Sequence, residues 1–169
     1  MEGDRERQEV ADFYVAAREG VIRYLIASGL SADRATEAAQ EAFLKFYLAR
    51  RNAEEIREPR SWVYRVARNI AIDRIRRDPV QSPLTEAVKE TVAAAGSSVE
   101  QRMIDEQWME GFRAAMKHLS ERQRLCLELR SQGLHYREIA DVLEIQISTV
   151  AEYVRRGIEE LKKWNRCRS

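Results

Sequence analysis

Apolar residues in this chain recur every three or four positions along most of its length, and nowhere alternate with polar ones over the length of a strand. The rhythm is helical and rarely interrupted: 169 residues hold only 7 Gly and 3 Pro. Val10, Phe13, Tyr14, Ala17, Val21, Tyr24 and Leu25 form one amphipathic stripe. Ser31 or Asp33 can cap a second helix, whose inner face is Ala35, Ala38, Ala39, Ala42, Phe43, Phe46 and Tyr47. Ala49 to Glu58 is polar and aperiodic and reads as a loop. Pro59 fits the first turn of a helix running to about Arg77, with Val63, Val66, Ala67 and Ile70 facing inward.

Beyond Arg77 the texture changes. Residues 78–98 contain two of the three prolines and the small, unpatterned run Ala93-Ala94-Ala95-Gly96-Ser97-Ser98, as expected of a flexible or weakly structured linker. Helical rhythm then resumes with Ile104, Trp108, Phe112, Ala115 and Leu119. Ser120 caps a helix from Glu121 to Ser131 that Gly133 ends, and shorter helices follow from Tyr136 to Leu143 and from Ser148 to about Leu161. The expected fold is all-α: a helical bundle over 1–77, a linker over 78–98 and a second small helical domain over 99–169.

Composition excludes several classes. No apolar run approaches the roughly 20 residues that span a bilayer, and the N-terminus is too polar for a secretory signal, so a cytoplasmic protein without membrane insertion is expected. Cys126 and Cys167 make no CxxC and join no Cys/His cluster, which argues against a zinc site or disulfide framework. His118 and His135 are the only histidines; neither has a carboxylate or cysteine at catalytic spacing, and there is no Gly-rich phosphate loop. Neither an enzyme, a metal nor a cofactor is expected.

The net charge of +1 conceals an alternation. Residues 1–56 carry −3, 57–77 carry +5, 78–110 carry −5 and 111–169 carry +4. Two basic blocks around an acidic one suit two footprints on a polyanion, or simply a set of solvated helix faces.

The most specific local pattern runs from Tyr136 to Val150. A short helix with Ile139, Ala140 and Leu143 inward meets a second through a tight turn plugged by Ile145, and Val150 and Val154 anchor the second helix. This is the spacing of a helix-turn-helix, whose second helix can enter a major groove, although a plain helical hairpin has the same apolar pattern.

Leu119-Ser120-Glu121-Arg122-Gln123-Arg124, Gly133 to Ala140 and Thr149-Val150 together resemble the fourth conserved region of bacterial sigma factors. Gln40 to Tyr47, followed by Pro59-Arg60-Ser61-Trp62-Val63-Tyr64-Arg65-Val66-Ala67-Arg68-Asn69, resembles their second region. Nothing resembles the first or third region. That form is similar to the extracytoplasmic-function (ECF) sigma factors of the sigma-70 family.

The resemblance implies a transcription initiation factor that binds core RNA polymerase, directs it to promoters and aids melting. Glu37, Gln40, Glu41, Leu44, Lys45 and Leu48 form a polar-rimmed apolar stripe suited to a helix partner. The implied partner is the clamp helices of the largest polymerase subunit; otherwise the stripe would pack on the first helix. For the melted minus-ten element the candidates are Arg57, Arg60, Trp62, Tyr64, Arg65, Arg68, Asn69, Arg76 and Arg77: arginines for phosphates, aromatic faces for bases, an amide for a base edge. Trp62 and Tyr64 can instead be core, and for Trp62 core is the better reading. The loop Arg51 to Pro59 would lie where related proteins capture a flipped base.

For the minus-thirty-five duplex the candidates are Arg130, Gln146, Ser148, Thr149, Glu152, Tyr153, Arg155 and Arg156. Here the chain departs from the family pattern: Glu144 replaces the usual turn glycine, and Ala151-Glu152-Tyr153 replaces a basic-Ser-Arg run. A carboxylate repels phosphate but can accept from cytosine, so an unusual minus-thirty-five preference is expected. The family also admits an anti-sigma partner. The rival reading is a response regulator of the two-component type, which shares the helix-turn-helix pattern but requires a receiver domain with parallel strands.

Overall fold

The computed structural model describes residues 2–79, 107, 110, 111 and 113–166. The linker over 80–98, the stripe residues Ile104, Trp108 and Phe112, and Cys167 lie outside the described residues, within which there is no strand.

Three helices make the N-terminal unit: α1 Glu2–Ala27, α2 Ala32–Arg51 and α3 Pro59–Arg77. The α1–α2 corner closes on Gly29, at φ +110°, with the Leu30 amide donating to the Leu25 carbonyl at 3.2 Å. Ser31 then caps α2, its hydroxyl accepting from the Arg34 amide. Ala35, Ala38, Ala39 and Ala42 are essentially fully buried. Their small side chains let α1 and α3 approach α2 closely, while Phe13, Phe43, Phe46 and Trp62 fill the other end with ring centroids 5.3 to 5.8 Å apart. The expected loop is shorter than Ala49 to Glu58: α2 continues to Arg51 because Ala49 is still core. Pro59 starts α3, and Arg77 ends it, where the sequence places them.

The C-terminal unit contains α4 Glu121–Ser131, α5 Tyr136–Leu143 and α6 Ile147–Arg166. Ser120 and Gln123 form a capping box at the start of α4, and Gly133 at φ +85° closes its end. The α5–α6 turn passes through Glu144, a non-glycine residue at φ 55°, with the Ile145 amide donating to the Ala140 carbonyl. Val150, Val154 and Gly157 seat α6; a β-carbon on Gly157 would come within 2.7 Å of Leu127 Cδ1, so α6 and α4 meet there closely.

The two units are packed on each other. α3 lies against α5 and α1 against α4, and one cluster of buried apolar residues extends from Val21 in the first unit to Val154 in the second.

Candidate nucleic-acid interface

The arginines of α3 divide by direction. Arg65, Asn69, Arg76 and Arg77 face solvent, and Arg57, in the preceding loop, pairs with Glu55 at 3.2 Å. Arg74 turns inward to α2: it donates to the Arg34 carbonyl at 3.1 Å and to Glu41 at 2.9 Å, and lies 3.5 Å from Glu37. It therefore fixes α3 on the helix that carries the apolar stripe. On that stripe Leu44 and Leu48 are 56% and 45% exposed, with Gln40 and Lys45 also open.

Where α2, the loop and α3 converge there is a cleft of about 390 Å³ lined by Leu48, Asn52, Glu54, Trp62, Asn69 and Asp73, among others. Trp62 is half-buried against Phe46, so one edge of the indole is core and another lines the cleft. Two sequence candidates, Trp62 and Asn69, are thus brought together. Asn52, Glu54 and Asp73 join them unannounced; the signal for Asp73 was its place one helical turn after Asn69.

Tyr64 is a correction. Its ring is 2% exposed and meets Tyr24 edge-on at 5.7 Å, so in this conformation it offers no face to a base. Burial pushes its hydroxyl pKa well up, and that of Tyr24 to about 12.

The exposed face of α6 is largely self-neutralised. Glu152 accepts from Arg155 Nη2 at 2.8 Å and Nε at 3.2 Å and from Arg156 Nε at 2.6 Å, while Glu159 takes Arg155 Nη1 at 2.7 Å. Hydrogen bonds from Arg155, with a further bond from Arg156, hold the Glu152 carboxyl below its usual range. Arg130 is likewise engaged, donating to the Leu134 carbonyl and lying over the Tyr136 ring. All three of these arginines are sequence candidates for the minus-thirty-five duplex, and each has a partner in its own domain. Gln146 and Ser148 are exposed, Thr149 and Tyr153 half-buried.

Two further α3 arginines cross to the other unit. Arg60 grips Glu138 through Nε at 3.3 Å and Nη2 at 3.0 Å, and Nη2 also donates to the Gly133 carbonyl at 3.0 Å. Arg68 reaches Glu144 at 3.4 Å. Glu138 is buried and also accepts the His135 amide at 2.7 Å. Burial pushes its pKa up, but the hydrogen bonds from Arg60 and the His135 amide outweigh this and hold the carboxyl below the usual range.

Residues 14–79 match the family model for Sigma-70 region 2, and residues 109–161 that for Sigma-70, region 4. The chain is 30% identical over 141 residues to the RNA polymerase sigma-H factor of Pseudomonas aeruginosa, covering 78% of this chain and 73% of that protein. It is 28% identical over 138 residues to the ECF RNA polymerase sigma factor SigW of Bacillus subtilis, covering 76% and 74%. In fold it is similar to the sigma factor RpoE of Bartonella quintana, solved in complex with the anti-sigma factor NepR. The TM-score is 0.64 at 17% identity, over 94% of this chain and 98% of that one.

Proposed function

This chain belongs to the sigma-70 family of RNA polymerase sigma factors, as an extracytoplasmic-function member, and from that membership we propose how its residues divide the work of transcription initiation. As a sigma factor it binds core RNA polymerase and promoter DNA. Among the described residues the unit ahead of the helix-turn-helix is all-helical, without the parallel strands of a receiver domain, which speaks against the response-regulator reading.

In this division residues 1–77 engage polymerase and the minus-ten element, residues 99–169 engage the minus-thirty-five element, and 78–98 connect them. The exposed Leu44–Leu48 stripe, rimmed by Glu37, Gln40, Glu41 and Lys45, takes the polymerase clamp helices. The cleft next to it takes an unstacked base: Trp62 supplies an aromatic wall, and Asn52, Glu54, Asn69 and Asp73 supply polar groups for a base edge. Arg57, Arg65, Arg76 and Arg77, together with Arg60 and Arg68 once released, meet the phosphates. In the second domain Gln146, Ser148, Thr149 and Tyr153 face the duplex, with Arg155 and Arg156 oriented by Glu152. The protein acts by binding alone, in the cytoplasm, without catalysis. No described helix is long and apolar enough to cross a membrane.

The observation that carries this reading is the adjacency of stripe and cleft: Lys45 and Leu48 belong to both, so a polymerase docked on α2 has the base-sized cleft at its edge. The deciding experiment is reconstitution with core polymerase and a promoter library. Core binding with selective promoter opening is expected; no binding to core would overturn the reading, and binding without opening would confine it to recruitment.

A further inference from the structure

A separate cavity of about 280 Å³ opens on another face of α3 from the base-sized cleft, bounded by α1 and α3 of the first unit and by α4 and the end of α5 of the second. Its lining is graded. Tyr24, Ala71, Leu125 and Leu143 are buried and form the inner part, Ile72 and Ile75 are half-buried, and Arg76, Glu121 and Arg122 stand exposed at the mouth. Its volume lies near the small end of the roughly 300–1,000 Å³ range of small-molecule sites, and apolar walls with a few convergent polar groups are their usual make-up.

The polar groups of this cavity are largely unspent. The Tyr24 hydroxyl is fully buried and has no hydrogen-bond partner among the described residues, a rare condition for a group that is costly to leave unpaired. The arginines acting on it, Arg68 and Arg122, both line the cavity, which puts the hydroxyl on the cavity side of its ring. Burial pushes its pKa to about 12, so at neutral pH it is a donor. Arg68 is matched by Glu144. Arg122 makes only a long bond, 3.5 Å, to the Leu143 carbonyl, and neither it nor Arg76 has an ion-pair partner among the described residues. The mouth is therefore cationic despite Glu121.

We propose that this cavity binds a small organic acid. An aromatic or branched apolar body lies against Ile72, Ile75 and Leu125; a carboxylate or phosphate sits at the mouth between Arg76 and Arg122; and an acceptor at the other end takes the Tyr24 O–H. The walls come from both units, so the site is complete only while they are packed. Resting on the sigma reading above, an occupant that bridges the units opposes any promoter complex in which they separate, by the reciprocity of linked equilibria.

The probe is 4-acetylbenzoate, a carboxylate with a ketone acceptor across the ring, titrated into the full-length chain by ligand-observed NMR. Saturable binding is expected, with a dissociation constant of about 0.1–1 mM. Replacing the ketone by its isostere, as 4-isopropylbenzoate, or the charge by an amide, as 4-acetylbenzamide, should each weaken binding about fivefold. Tyr24→Phe should erase the first preference and leave the second; Arg122→Gln should do the reverse; Glu121→Gln should tighten both benzoates about twofold. Whichever of 4-acetylbenzoate and 4-acetylphenyl phosphate binds tighter identifies the head group. No saturation up to about 10 mM overturns the site. Equal binding of the three ring compounds, or preferences that the substitutions leave unmoved, overturn the assigned roles. Probe saturating the free chain before core polymerase is added should slow promoter opening about threefold in wild type and less in Arg122→Gln. Intact binding with unchanged opening overturns the effector role. Failure of wild type to bind core strikes the sigma reading and leaves the NMR result standing.

Discussion

A β-carbon on Gly20 would lie 2.5 Å from the hydroxyl oxygen of Tyr64, so α1 tolerates only a hydrogen where the tyrosine hydroxyl reaches the junction. The ring of Tyr64 is buried and held against Tyr24, so it cannot swing aside. Gly20→Val is expected to lower stability by about 2 kcal/mol, the overpacking cost exceeding the gain from removing a helical glycine. Urea denaturation followed by helical circular dichroism measures this; an unchanged midpoint would show that the junction yields.

Arg74 bridges Glu41, Glu37 and the Arg34 carbonyl. Arg74→Ala should cost about 1–2 kcal/mol, and Arg74→Lys should restore little of it, because an ammonium cannot span the three acceptors. Weaker core polymerase binding should accompany the loss, since the same carboxylates rim the exposed stripe of α2.

Acid should open the junction through Glu138. Its carboxyl is held below the ordinary value of 4.5 in the folded chain, so the stability it contributes is present above that value and is lost as pH falls through the depressed one. The charged groups that face it are Arg60 from α3 and His135 from its own domain. Scattering from pH 7 to pH 3 should show wild type expanding toward the dimensions of Glu138→Gln, with the two converging at the acid end. A constant gap between them would exclude this carboxyl as the titrating group.

On α6 the expected consequence of Glu152→Ala is release of Arg155 and Arg156. Freed guanidiniums bind phosphates indiscriminately, so duplex affinity should rise, its salt dependence should steepen, and selection from randomised minus-thirty-five sites should give a broader preference. An unchanged selection profile would end the case for Glu152 as a determinant of promoter choice.

Cys126 is fully buried, and burial pushes its thiol up to about 11. Alkylation at pH 8 followed by peptide mapping should leave Cys126 unmodified in the native protein and modified in urea. Ready native labelling would mean that α4 opens on the timescale of the reaction.

Elements with local signatures were legible in the sequence. Pro59 and the arginine run set both ends of α3; Ser120 and Gly133 set those of α4; the spacing of Ile139, Ala140, Ile145 and Val150 set the helix-turn-helix. What the sequence did not disclose is long-range. Arg60 and Glu138 are 78 positions apart, and nothing in either neighbourhood distinguishes an arginine that waits for phosphate from one that grips a carboxylate. Tyr64 stays open between stacking platform and core in the sequence for the same reason: its burial depends on α1 and on a domain that follows much later in the chain. The pairing of Glu152 with Arg155 and Arg156 is a different omission, since spacings of three and four on a helix are countable from sequence.

The alanine face of α2 has a mechanical consequence. Ala35, Ala38 and Ala39 lie buried toward one end of α2, while Phe43, Phe46 and Trp62 pack toward the other, about 11 Å further along the axis. The cleft opens beside the aromatic end, where Trp62 packs on Phe46 and also forms part of the cleft wall. A methyl group added at Ala38, which has no exposed surface, could be accommodated only by moving α2 against its neighbours, altering the gap at the far end like a pivot moved under a lever without touching any residue that lines it.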